Sequence, residues 1–266
     1  MLAAAPVPAQ AGGHVAVVDK VARVLRAFSP SASRLSVRQL SERTGIPRST
    51  VHALCASLTA TGMLEAVGER DARRGGYRLG PLLLELGGQV IDRTGLVTAF
   101  ERSAGPLCRA AGQEVHLGQL AGGWTIYLHR QTSDRRVPMN NRVGLRAPAH
   151  LTGCGKAVLA QLGWPDVVRR VGEWCTTTGA PTPDLDALAG ELRAARETGW
   201  LVSRSFQRDR TSVAVPIFDV EGRAVAGLSV AGSVVSFSPT EVQRAADDLR
   251  AAAARIGAGT GVGACA

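Results

Sequence analysis

The stretch SVRQLSERTGIPRSTVHALCASLTATG, residues 36–62, reads as two short helices joined by a tight turn at Thr44-Gly45-Ile46-Pro47. Ser36 is placed to cap the first helix, in which Val37 and Leu40, with Ile46 through the turn, point one way and leave Arg38, Glu42 and Arg43 for solvent. Gly45 fits the left-handed position just past a helix end, and Pro47 fits the first turn of the next helix. That second helix carries Val51, Leu54, Cys55 and Leu58 at helical spacing, opposite a leading polar face of Arg48, Ser49, Thr50 and His52. Such a helix suits entry into a major groove, because its N-terminus meets phosphate while its side chains reach base edges. The plainer alternative is that Ser49 or Thr50 only caps the helix.

Just beyond, residues 63–67 and 77–79 are short strand-like runs around the glycine- and arginine-rich tip GERDARRGG, residues 68–76. A basic hairpin directly behind a recognition helix is the wing of a winged helix-turn-helix, with Arg70, Arg73, Arg74 and Arg78 over phosphates or in the adjacent minor groove. Plain solvated charge is the competing reading of part of this set. Upstream, Val17, Val18, Val21, Val24, Leu25 and Phe28 fall on one face of a supporting helix over residues 15–28, and Arg34-Leu35 can add a short strand. Downstream, Gly80-Pro81 opens a helix through LLLELGGQVID, residues 82–92. It is apolar over so much of its circumference that it must pack between domains or against a second subunit.

Charge follows the same division. The formal net charge is +9, and eleven of the 31 basic residues but only five of the 22 acidic ones fall in the first 80 positions. Positive potential therefore gathers where the helix-turn-helix lies, which fits a polyanionic partner. The five cysteines, Cys55, Cys108, Cys154, Cys175 and Cys265, form no CxxC pair and no zinc-ligand spacing with histidine, pointing to a reducing cytoplasm and no metal or cofactor. No apolar run approaches membrane-spanning length, and residues 1–13 read as a disordered leader.

The remainder reads as an α+β domain with an antiparallel sheet. A helix is expected over residues 98–111, a β-hairpin from residues 113–120 and 124–131 around Ala121-Gly122-Gly123, and a glycine-rich helix entry at Gly153-Cys154-Gly155-Lys156. Helices follow over residues 164–174 and 185–198. Two apolar strands, TSVAVPIFD and AVAGLSVAG, precede a last helix from Ser238-Pro239 to Ile256.

In order and spacing over nearly the whole chain, LSERTGIPRSTVHALCASLTATGMLE with YRLGPLLLELG, RAPAHLTGCGKAVLAQL, and RETGWLVS with VAVPIFDVEGRAVAGLSVAG resemble the IclR family of bacterial transcriptional regulators. The resemblance implies a cytoplasmic regulator with an N-terminal winged helix-turn-helix (residues 14–80), a linker helix (81–96) and a C-terminal GAF-like α/β effector-binding domain (97–257), with residues 258–266 a flexible tail. It further implies a homodimer or homotetramer, more often a repressor, on palindromic double-stranded DNA, answering to a small organic acid. By motif, the effector pocket falls to Gly153 and Cys154 ahead of the glycine-lysine helix, Ser212, and Ser229 and Ala231 on the last strand. The chain departs from the family at residues 203–207, with Ser203, Arg204, Ser205, Phe206 and Gln207 where acidic residues are common, and at Asp209, where glycine is usual. Arg204 and Arg210 beside such a pocket fit an anionic ligand.

Other chemistries stay open at this point. Cys154 near a helix start, with His150, reads alternatively as the nucleophile of an enzyme acting on a small acyl substrate. His116, His129 and a cysteine are a weaker zinc set, and a winged helix can serve as a protein adaptor, for which the arginine wing has little use.

Overall fold

The fold comes from a computed structural model that describes residues 15–68, 75–92, 95–132, 143–204 and 209–259. The expected leader, Arg70, Arg73 and Arg74 of the wing, the Ser205, Phe206 and Gln207 segment, and the tail beyond residue 259 lie outside the described residues. The chain divides into two compact units, Met1–Val90 and Ile91–Ala266.

The first unit holds α1 (Ala16–Arg26), α2 (Val37–Thr44), α3 (Arg48–Ala60) and a hairpin of β1 (Leu64–Val67) and β2 (Gly76–Leu79). Ser36 caps α2, and Gln39 returns the bond to the Ser36 amide, so two helix-end donors are satisfied at once. Gly45 closes α2 at φ 67°, a left-handed backbone that needs no side chain. Pro47 sits one place earlier than expected, as the N-cap of α3. Val24, Leu40, Val51, Cys55 and Leu64 form the core of the unit. Leu35 joins the hairpin by exchanging amide–carbonyl bonds with Tyr77 at 3.0 and 2.8 Å. Val17 and Val18 do not share the buried face assigned to them: they are 50% and 60% exposed, because only the later turns of α1 reach α2 and α3.

Helix α4 (Pro81–Asp92) follows, fastened to this unit by the Gly80 amide on the Met63 carbonyl at 2.8 Å. It ends at Asp92, short of residue 96. Among the described residues Leu84 of α4 is 81% exposed and Val90 67%.

The second unit is one six-stranded sheet with helices on both faces. Its elements are α5 (Leu96–Ala111), β3 (Glu114–Ala121), β4 (Trp124–Gln131), β5 (Arg146–Pro148), α6 (Gly153–Leu159), α7 (Trp164–Thr178), α8 (Leu185–Thr198), β6 (Leu201–Arg204), β7 (Arg210–Phe218), β8 (Ala224–Ser233) and α9 (Pro239–Ala258). The strand order is β5-β4-β3-β8-β7-β6, every neighbouring pair antiparallel. Alternation along β3, β7 and β8 sends Val115, Leu117, Val213, Val215, Ile217, Leu228 and Val230 to one face, where Phe100 and Leu107 of α5 and Leu249 and Ile256 of α9 cover them. The opposite face receives α6, with α7 and α8 packed beyond it around Leu159, Val167, Val171, Leu188 and Leu192. Helix α9 runs past the expected end at Ile256 to Ala258, started by a capping box of Ser238 and Glu241. Helix α5 begins two residues before Thr98 because Gly95, at φ 63°, turns the chain into it.

The approach of α6 to the sheet depends on two glycines. A side chain at Gly227 would fall on the Cys154 carbonyl, and one at Gly118 would meet the Cys154 Cβ at 3.0 Å. Gly227→Ala is therefore expected to lower stability by about 1–3 kcal/mol through overpacking against backbone, measured as a drop in denaturation midpoint. Gly172→Ala, where nothing lies within 4 Å of the added carbon, is the control and should not lower it.

Candidate functional site

The leading face of α3 stands open. Arg48, Ser49 and His52 are exposed and Thr50 is half-buried, while Val51, Leu54, Cys55 and Leu58 are buried beneath them. Pro47 offers no capping side chain, so the first amides of α3 are unmet by any N-cap side chain and point toward whatever approaches the helix start. Amide donors, a guanidinium, a hydroxyl and an imidazole on one short face are what phosphate and base-edge contacts require.

Several arginines of the basic half are already committed to the fold. Arg43 donates to the Ala27 carbonyl at 2.9 Å, Arg23 to the Thr44 carbonyl, and Arg34 to the Val67 carbonyl at 3.0 Å. Arg34 also lies over Gly68 and Gly76 at the base of the wing. Sequence reasoning gave it no role beyond a strand position, and only the cross-strand placement of Leu35 shows it there. Arg78, assigned to the wing's DNA contacts, sits directly opposite Glu65 on β1 and pairs with it. It remains 61% exposed, so part of its charge is spent within the hairpin.

In the second unit, register places the predicted effector residues on the α6 face of the sheet in successive rows. Glu114, Ala231, Ser212 and Ser203 lie side by side across β3, β8, β7 and β6. The next row is His116, Ser229, Ala214 and Leu201, and the one after begins with Gly118 and Gly227. Helix α6 covers the last two rows, and its first residue reaches Ser212 of the first. The Cys154 thiol lies 3.2 Å from the Ser229 hydroxyl, and Gly153 packs so tightly on Ser212 and Ala214 that a side chain at 153 would strike them. Gly153, Cys154, Ser203, Ser212, Ser229 and Ala231 thus come together, and Arg210, two residues before Ser212, keeps to the same face.

Arg204 does not. It follows Ser203 on β6, so alternation turns it to the other face, where it is exposed, and it is no part of this group. Asp209, at the position where glycine is usual, has φ 59°, a left-handed conformation that explains the family's glycine and that aspartate tolerates better than most residues. Missed from sequence are Glu114 and, weighed there only as a zinc ligand, His116, both nearly or fully buried in the same rows. Only knowledge of register across strands far apart in the chain could have found them.

The nucleophile reading of Cys154 fails on its surroundings. Burial pushes its thiol up to about 12, against weaker opposing hydrogen bonds from Ser229 and backbone, so at neutral pH no thiolate forms. The zinc set fails on geometry: His129 pairs with Leu117 and packs on Phe100 and Glu101 on the apolar face, while His116 is on the other. Among the described residues no group of three metal-ligating side chains gathers. His150 is packed 4.6 Å from the Trp174 ring centre, under α7.

Comparison with known proteins gives a consistent picture. The profile described as "Bacterial transcriptional regulator IclR C-terminal" matches residues 88–258, and "IclR helix-turn-helix domain" matches residues 17–68. The regulator XynR of Escherichia coli is 29% identical over 216 residues, 80% of this chain and 84% of its own length. TtgV of Pseudomonas putida is 31% identical over 188 residues, 70% of each chain. The crystal structure of an IclR-type regulator from Silicibacter superposes with a TM-score of 0.74 at 26% identity, covering 90% of this chain and 94% of that one. An IclR homologue from Microbacterium hydrocarbonoxydans, solved with 4-hydroxybenzoate, shares the fold at TM-score 0.74 and 24% identity over 91% and 97% of the two chains.

The buried His150 gives a checkable pH dependence. Burial first, and the Lys156 charge second, lower its pKa from 6.5 to about 4. The unfolded chain therefore takes up this proton as pH falls below 6.5 while the folded one refuses it until about 4. Its contribution is complete above pH 6.5 and is lost toward pH 4, at up to about 1.4 kcal/mol per unit. Urea midpoints measured from pH 7 to 4 should fall less steeply for His150→Gln than for the wild type.

Proposed function

Since the chain belongs to the IclR family of bacterial transcriptional regulators, with a DNA-binding helix-turn-helix and a C-terminal effector domain, we propose that it is a cytoplasmic repressor that binds a palindromic operator as a homodimer or a pair of dimers and is released or retained by a small organic acid. The observation that carries the DNA half is the open leading face of α3, with Arg48, Ser49, Thr50 and His52 at a helix start unmet by any side-chain cap. Arg48 reads a base or anchors a phosphate, and Ser49, Thr50 and His52 adjust the fit. Arg78 and the tip arginines Arg70, Arg73 and Arg74 add attraction that falls with salt. Repression is the simpler sign, because occupancy of a promoter excludes polymerase without any further surface.

Dimerisation through α4 is supported by Leu84, Leu86 and Val90, apolar side chains left exposed on a helix that a free linker would make polar. A two-fold pair of heads matches an inverted repeat, with half-sites a whole number of helical turns apart. In the effector domain, the rows beside Gly153 and Cys154 are the site. Arg210 at their border supports an anionic group on the ligand, and the exposed Arg204 is set aside. The ligand acts by favouring one of two arrangements of the DNA heads in proportion to its preference between them.

Arg48→Ala is expected to weaken operator binding at least tenfold, read by footprinting on the promoter of its own gene, while gel-filtration volume stays that of the wild type. An unchanged footprint would overturn the assignment of α3. Leu84→Glu is expected to do the reverse at the level of assembly: sedimentation should show a smaller species, and operator affinity should fall because two heads no longer bind together.

A further inference from the structure

The rows of the effector domain hold polar atoms that the fold itself leaves unmet. Among the described residues, the buried atoms Glu114 Oε2, His116 Nδ1 and Nε2, and Ser203 Oγ have no hydrogen-bond partner. All three side chains are more than nine-tenths buried: 7% of Glu114, none of His116 and 1% of Ser203 is exposed. The nearest approach among them is Glu114 Oε2 to His116 Nε2 at 3.4 Å, longer than a good hydrogen bond. Buried atoms of this kind are few in folded proteins, and each costs about 1–3 kcal/mol. Here they fall on one sheet face, in the two rows next to the start of α6.

The first of these rows sets two polar ends apart. Ala231 separates Glu114 from Ser212, so a small residue forms the floor between two polar ends. At the usual strand spacing the Cα atoms of Glu114 and Ser212 are about 10 Å apart, and their side chains rise from the same face. That separation matches the length of a ring or a chain of a few carbons with a polar group at each end. The Ser212–Ser203 end, bordered by Arg210, suits a carboxylate. The other end offers the Glu114 carboxyl oxygen and the His116 ring nitrogens, with Arg130 opposite His116 on β4.

We propose that Glu114 and His116 bind a hydroxyl group at the end of the effector remote from its acidic group, so that this chain answers to a hydroxy acid rather than to the unsubstituted acid. The hydroxyl donates to Glu114 Oε2 and accepts from or donates to His116, and both unmet atoms gain a partner only when the effector is bound. This rests on the reading of these rows as the effector site.

Two measurements on the full chain test it. Without ligand, Glu114→Met and, separately, Ser203→Ala remove unmet buried atoms and are expected to raise Tm, by about 2–6 °C for Glu114→Met. A fall in Tm for both would mean that the fold already satisfies these groups, and would overturn the proposal. In calorimetry with 4-hydroxybenzoate against benzoate and 5-hydroxypentanoate against pentanoate, the wild type should bind at least one hydroxylated member tenfold tighter than its partner. Glu114→Met should reduce that ratio below threefold. Equal affinity within both pairs would overturn hydroxyl recognition and keep the effector site. Binding of none of the four would overturn both.

Discussion

The second unit depends on backbone meeting backbone where α6 lands on the sheet. The Cys154 carbonyl occupies the space that a side chain at Gly227 would fill, and the Gly118 position is closed by the Thr125 methyl and the Cys154 β-carbon. With a β-carbon at either place the helix would ride higher, and the contacts that bury Cys154 against Ser229 would open. The glycines also divide the α6 face of the sheet. Under the helix Cys154 meets the Ser229 hydroxyl, while the ring nitrogens of His116 in the same row, and Glu114 and Ser203 in the next, have no hydrogen-bond partner among the described residues.

In the first unit, net charge overstates what is available to DNA. Arg23 and Arg43 satisfy carbonyls at the ends of α2 and α1, Arg34 secures the hairpin, and Arg78 faces Glu65. Charge-assisted bonds to backbone carbonyls tie the helices to one another with few large apolar residues. Arg48, by contrast, begins a helix with no side-chain cap and is exposed. Counting basic residues locates the right domain, while the bonding partners decide which of them can meet phosphate.

Much of the fold was legible because its signals are local. Gly45, Gly199 and the Ala121-Gly122-Gly123 turn end elements where their backbone freedom implies, and α8 and β4 match their expected bounds residue for residue. The misses are non-local. Strand β5 is three residues long and exists only because Trp124 and Ile126 offer it an edge. Val17 and Val18 carry the right helical spacing but stay half or more exposed. Arg204 was joined to the site by nearness in sequence, whereas a strand turns adjacent residues to opposite faces. Glu114 was overlooked, and His116 weighed only as a zinc ligand, for the complementary reason: residues 114, 203, 212 and 231 become neighbours only through register.

The same logic orders the energetics of the effector domain. Its apolar face, closed by α5 and α9 around Phe100, Leu228 and Leu249, holds the sheet with no unmet polar group from its β-strand residues other than His129. That surplus of burial on one side lets the other side keep Glu114, His116 and Ser203 without partners and still fold. A ligand that satisfies them gains what the fold left unmet, so its binding energy is set by the unliganded protein's own deficit. A regulator needs that gain to differ between two arrangements, and a rigid apolar face beside an unsatisfied polar one is a structure in which only the polar side has reason to change.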